Sequence, residues 1–176
     1  CHQLGDGVAA VSSAIYGATL IVLYTMSTLY HALANEKAKA VFRVFDHVTI
    51  YLLIAGTYTP YTLACLGGAF GWTLFGIVWA AAIVGIVFSS ISLRRFQKLS
   101  MICYIAMGWV ILIAIKPLWQ VIGTLPMVFL VIGGVLYTGG VLFYQMKESR
   151  YMHSIWHLFV IAGSIFQYFS ILLALT

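Results

Sequence analysis

The sequence predicts an all-α fold: a polytopic transmembrane helical bundle with six spans in this chain and seven expected in the complete protein. Three observations predict it. First, 63% of the 176 residues are hydrophobic and only 7% charged, with a mean hydropathy of +1.04. A soluble domain carries roughly a quarter charged residues, and a chain this short cannot hide so much apolar surface from water. Second, the apolar residues gather in six runs of about the 20 residues a spanning helix needs. Third, the basic residues sit between the runs and on one side of them. Residues 1–176 are therefore read as a single transmembrane domain whose main solvent is lipid.

The first span is placed at 9–33 and closed by the charged stretch "NEKAK". The second, 41–65, contains "AGTYTPYT", where Pro60 should kink the helix because it lacks an N–H to donate. "CLGG" is a tight glycine turn leading into the third span, 69–92. "LRRFQK" separates it from the fourth, 99–116. In "KPLWQVIGTLP", Pro117 is expected to stop the fourth span and Pro126 to open the fifth, 126–146. "KESR" precedes the sixth, 152–175. The in-out alternation of β-barrel strands is absent, which leaves helices. Gly76, Gly85, Gly133, Gly134, Gly139 and Gly140 are expected to let helices pack closely.

The charges orient the chain. Lys37, Lys39 and Arg43 lie at the first connection, Arg94, Arg95 and Lys98 at the third, and Lys147 and Arg150 at the fifth; Lys116 stands alone on the other side. By the positive-inside rule the first, third and fifth connections face the cytoplasm of a plasma membrane. Both ends of the chain then face outward, and with no signal peptide an additional upstream helix is expected. The net charge of +5 is no nucleic-acid footprint, because no basic stripe or aromatic-interleaved patch exists. Cys1, Cys65 and Cys103 show no disulfide or metal spacing and read as small apolar packers.

Against this background the ionisable residues inside the apolar runs stand out. His31 ends the first span. Asp46 lies about five residues into the second, roughly 7–8 Å at 1.5 Å per residue. His153 opens the sixth span and His157 lies one turn deeper. All four fall at the cytoplasmic ends of their spans. "HSIWH" sets His153 and His157 at i and i+4, on one helix face. Three imidazoles with one open position make the donor set of a catalytic zinc ion. Ser27, one turn before His31, could fix the imidazole tautomer, and Asp46 could serve as the base that takes a proton from water. Blander roles exist for each: a headgroup-facing histidine, a packing serine, an Asp46–Arg43 ion pair or a proton relay. An acid inside a span is the hardest to dismiss, since such residues are costly and usually functional. His47 points about 100° away from Asp46 around the helix and is left out of the ligand set.

"STLYHAL", "FDHVTIYLLIAGTYTPYTL", "AMGW" and "HSIWHLFV", in this order, resemble the bacterial hemolysin III family, which is grouped with the progestin and adipoQ receptors, the adiponectin receptors among them. The resemblance runs from about residue 10 to the end. It implies seven spans with the N-terminus inside. It places zinc on His31, His153 and His157 near the cytoplasmic face, with Asp46 approaching the zinc-bound water and Ser27 in the S-x-x-x-H motif.

Three functions follow as expectations. One is zinc-dependent hydrolysis of a membrane lipid, a ceramide-like amide or an acyl ester; the similarity of the related receptors to ceramide hydrolases favours the amide. Another is a non-catalytic membrane sensor or receptor-like protein in which zinc is structural. The last is cytolysis or pore formation, as the family name has it; well-formed spanning helices describe a resident membrane protein and lend that reading little.

Overall fold

The computed structural model describes residues 6–145 and 152–176, without the side chains of Asp6, Arg94, Gln97, Tyr144, Gln145 and His153. Every regular element in it is helical. In chain order these are α1 (Asp6–Ala32), α2 (Glu36–Thr59) running into a π-helical turn (Pro60–Leu66), α3 (Gly68–Ile91), α4 (Leu93–Trp109), a 3-10 segment (Val110–Ala114), α5 (Ile115–Ile122), α6 (Thr124–Gln145) and α7 (Met152–Leu175). Among the described residues six stretches are long and apolar enough to cross a membrane: Gly7–Ala32, Glu36–Leu66, Gly68–Ile91, Lys98–Ile122, Thr124–Phe143 and Ser154–Leu175. The protein is a multi-pass membrane protein. Its outer surface agrees with that solvent, since Ile21, Trp72, Ile91 and Ile113 are exposed on helix flanks, where water would make them costly and acyl chains do not.

The connections are shorter than the charge pattern predicts. Only residues 33–35 separate α1 from α2. Asn35 caps α2, its side-chain oxygen accepting from the N–H of Lys37 at 3.0 Å and of Ala38 at 3.1 Å, which satisfies two of the orphan donors of a helix start. The charged residues Glu36, Lys37 and Lys39 are thus a helical turn and not a loop. Ser92 alone divides α3 from α4, and its hydroxyl accepts from the Arg95 N–H. The fifth connection, with Lys147 and Arg150, lies outside the described residues.

Pro117 does not end a helix. It sits in the first turn of α5, where a missing N–H costs nothing. The helix runs on to Ile122 and stops at Gly123, whose φ of 78° only glycine adopts freely. The fourth span therefore reaches Ile122 rather than residue 116, and Lys116 lies within it. At Pro60 the helix answers the lost donor by widening: residues 60–66 form a π-helical turn, closed by a bond of 3.0 Å from the Gly67 N–H to the Thr62 carbonyl. The hydroxyls of Thr57, Thr59 and Thr62 all donate to carbonyls three or four residues back. In a medium without water the polar groups of this stretch are satisfied within the helix.

The chain divides into two compact units, residues 2–110 and 111–176. In the first, α2 is central and packs against α1, α3 and α4; its residues from Tyr51 to Cys65 are almost all buried. Polar groups join its neighbours to it. The Tyr58 hydroxyl donates to the Gly108 carbonyl at 2.9 Å, the Tyr104 hydroxyl to the His47 carbonyl at 2.8 Å, and the Trp79 indole to the Thr59 hydroxyl at 3.1 Å. In the second unit α6 and α7 pack along each other. Tyr137 and Ser164 share a hydrogen bond, Ser170 donates to the Pro126 carbonyl and Gln167 to the Leu130 carbonyl. Such bonds act as glue between helices that lipid would otherwise separate at no hydrophobic cost.

Of the glycines expected at helix contacts, Gly85, Gly133, Gly139 and Gly140 face a neighbouring side chain, whereas Gly76 and Gly134 face open space. Their sequence context is the same. The difference is helix rotation.

Candidate metal centre

His31 lies in the last turn of α1, its side chain exposed. Its Nδ1 is 2.8 Å from the Ser27 carbonyl oxygen. A carbonyl only accepts, so Nδ1 carries a proton, and in the neutral ring the lone pair is then on Nε2. That tautomer suits a metal-binding histidine, whose second ring nitrogen commonly donates to a carbonyl or carboxylate. The bond between the two residues of S-x-x-x-H therefore runs through the main chain of Ser27. The edge of the Tyr30 ring meets the imidazole at a centroid distance of 4.7 Å. The same i−4 bond forms at His47, whose Nδ1 is 2.9 Å from the Arg43 carbonyl. It is thus a general habit of histidine on a helix and identifies no ligand by itself.

Asp46 is 3% exposed. It lies ten residues after the start of α2 at Glu36, twice the sequence-based count. The additional turn is charged, so the distance from the first apolar stretch is little changed. The neighbour of its carboxylate at ion-pair distance is His47, with Nδ1 3.9 Å from Oδ2. The Asp46 carbonyl accepts from the Thr49 hydroxyl at 3.2 Å, and the adjoining His47 carbonyl holds Tyr104 of α4. The acid thus sits on a stretch of α2 pinned from two directions.

His153 and His157 both lie on α7, four residues apart and on one face of its helical backbone. The His153 side chain lies outside the described residues. His157 is half-buried beside Trp156, with ring centroids 4.5 Å apart. Ser27 is half-buried in α1. His31, Ser27 and Asp46 belong to the first unit and His157 to the second. Among the described residues no group of three or more His, Cys, Asp or Glu side chains is placed to hold a metal ion. In donor chemistry the residues suit zinc: imidazole nitrogens and a buried carboxylate.

Sequence reasoning set His47 aside because a helix turns about 100° per residue. The exclusion of His47 from the ligand set stands, but its ring lies nearer Asp46 than that angle suggests. Neighbouring side chains diverge at Cβ, yet the imidazole, held back toward Arg43, brings Nδ1 near the Asp46 carboxylate. The dipeptide "DH" was the available signal.

Comparison with known proteins agrees with the motifs. A family model described as "Haemolysin-III related" matches residues 2–168. The chain is 45% identical over 168 residues to Hemolysin-3 of Bacillus cereus, covering 96% of this chain and 77% of that protein. It is 43% identical to the Hemolysin-3 homolog of Bacillus subtilis (strain 168), covering 96% and 79%. It is 25% identical over 177 residues to the human Monocyte to macrophage differentiation factor, covering 97% and 73%. No solved structure matches significantly. With the family model spanning nearly the whole chain and close relatives covered over most of their length, the protein belongs to the haemolysin III-related family.

Proposed function

We propose that this protein is a zinc-dependent hydrolase of a membrane lipid, acting on an amide of ceramide type or an acyl ester, with His31, His153 and His157 as the zinc ligands. The observation that carries the proposal is Asp46: a carboxylate 3% exposed within an apolar span. Such a residue is expensive to keep in lipid and is a functional-site hypothesis by default. The His31 ring is compatible with that ligand set, because its Nδ1–H donates to the Ser27 carbonyl and Nε2 of the neutral ring stays available as a donor atom. Bound zinc supplies Lewis acidity, polarising a carbonyl and lowering the pKa of water to about 7. Asp46 would receive the proton that the attacking water loses and return it to the departing amine or alcohol oxygen as the C–N or C–O bond breaks. Ser27 holds the His31 ring in register. The lipid's polar end reaches these groups from the cytoplasmic edge while its chains stay among the helices or in the bilayer.

The test begins with elemental analysis of purified protein. The wild type carries about one zinc per chain, as a three-histidine site requires, and His153→Ala and His157→Ala each lose it. Turnover of a short-chain fluorescent ceramide falls with the zinc. It falls in Asp46→Asn without loss of zinc, by about 10²–10⁴-fold for a missing general base. Equal hydrolysis by metal-free protein overturns the proposal. Lysis is a second reading, favoured by the names of the two Bacillus relatives. Dye release from liposomes by the wild type, absent in His157→Ala, would support it instead.

A further inference from the structure

We propose that the turn from α3 into α4 is a binding site for one anionic phospholipid, with Arg95 and Lys98 on its phosphate and exposed apolar side chains of the same hairpin along its acyl chains. The proposal is independent of the zinc reading. Ser92 alone turns the chain from α3 to α4, and its hydroxyl accepts from the Arg95 N–H at 3.4 Å, which fixes Arg95 in the first turn of α4. After Lys98 no charged residue follows until Lys116, so the two cations stand where the apolar run begins, at the level of lipid headgroups. Both are exposed. The Arg95 guanidinium carbon lies over the Phe96 ring, 5.7 Å from its centroid, and Phe96 packs in turn on Phe88 of α3 with 5.5 Å between centroids. An aromatic face attracts a cation through its quadrupole, which leaves the N–H fork for an oxyanion.

The chain supplies no acid to these cations. Its acidic residues are Asp6, Glu36, Asp46 and Glu148, so none falls between residues 47 and 147. Among the described residues no carboxylate lies at ion-pair distance from Arg95 or Lys98, and Arg94 adds a third positive charge to the hairpin. Past the cations the same flank of α4 turns apolar. Leu99 and Ile102 follow Arg95 by four and seven residues, on one helix face, and both are exposed, while the opposite face carries the buried Ser100, Tyr104 and Met107. On α3, Phe88 and Ile91 are exposed as well. Cations above an exposed apolar strip match the two halves of a phospholipid. The Arg95 fork suits two phosphate oxygens at once, and Lys98 adds a point charge. A net-anionic lipid is preferred to a zwitterionic one, whose own ammonium opposes the positive field of the hairpin.

The test titrates purified protein in neutral detergent with phosphatidylglycerol or with phosphatidylcholine of the same chains and counts bound lipid by native mass spectrometry. The wild type takes up phosphatidylglycerol at lower concentration than phosphatidylcholine. Arg95→Gln and Lys98→Gln each weaken phosphatidylglycerol binding about fivefold, and the double variant about 25-fold, as expected of cations at a membrane surface. Arg95→Lys recovers part of the loss, since it restores the charge without the fork. Lys37→Gln with Lys39→Gln removes the same charge from the start of α2 and leaves binding within about twofold of the wild type, because the site is local and beyond a Debye length charges are screened. Glycerol phosphate, a headgroup without chains, fails to compete. Wild-type affinity in Arg95→Gln with Lys98→Gln overturns the proposal. Equal weakening by the α2 pair overturns it too, since net charge alone would then explain binding, and so does competition by glycerol phosphate at lipid concentration, which would mark a site for soluble anions. Should the double variant fail to fold, the order wild type, Arg95→Lys, Arg95→Gln decides by the same titration, and equal binding by the three overturns the assignment of Arg95.

Discussion

At the scale of single residues, close packing decides what each position tolerates. Gly71 and Gly76 both lie in α3 and look alike in the sequence. A Cβ at Gly71 would collide with the Thr62 carbonyl oxygen, a backbone atom that cannot turn aside, whereas a Cβ at Gly76 meets nothing within 4 Å. Gly71→Ala is therefore expected to lower stability by about 1–3 kcal/mol, the cost of overpacking. Gly76→Ala is expected to be neutral or to stabilise by up to about 1 kcal/mol, because alanine is the better helix former. Thermal unfolding of the two variants in detergent checks this, and equal melting temperatures would contradict it. Asp46 and His47 carry the same lesson: their identities were plain in the sequence, but their 3.9 Å approach was not.

At the scale of elements, the ends of helices depend on which backbone groups find partners. α2 starts at Glu36 because Asn35 caps it, although the charges there read as a loop. Asn35→Ala removes both side-chain acceptor bonds and should cost about 1 kcal/mol. Amide exchange at residues 36–39 should then quicken while that of the buried Tyr51–Tyr58 stretch does not; uniform protection across α2 would show that the cap is dispensable. The two prolines diverge for the same kind of reason. Pro60 lies inside a long helix and leaves a π-helical turn behind it, whereas Pro117 falls in the first turn of α5, where no donor is missed. Predicting a stop at Pro117 used the residue type without its place in the turn, which the preceding 3-10 segment sets.

At the scale of the whole molecule, membrane orientation is a statement about charge, and it is open to direct test. In a chain with its three cysteines replaced, a single cysteine at Thr124 should react with a membrane-impermeant maleimide on intact cells. One at Ala34 should react only after permeabilisation, if the positive-inside rule holds for this chain. The reverse pattern would invert the assignment. Composition and the arrangement of apolar runs determined that lipid is the solvent and that six helices span, as the described residues show, because burial and backbone satisfaction in a bilayer admit few alternatives. His31, Asp46, His153 and His157 stood out in the sequence as candidates, since membrane interiors tolerate few ionisable groups without a use, and Ser27 joined them through the S-x-x-x-H motif. Tertiary structure decided which glycines face a neighbour, and that the Tyr58 and Tyr104 hydroxyls of separate helices close on the Gly108 and His47 carbonyls. Those outcomes depend on the rotation and register of each helix, which packed side chains set to within an ångström, and a linear pattern of apolar and polar residues specifies neither so finely.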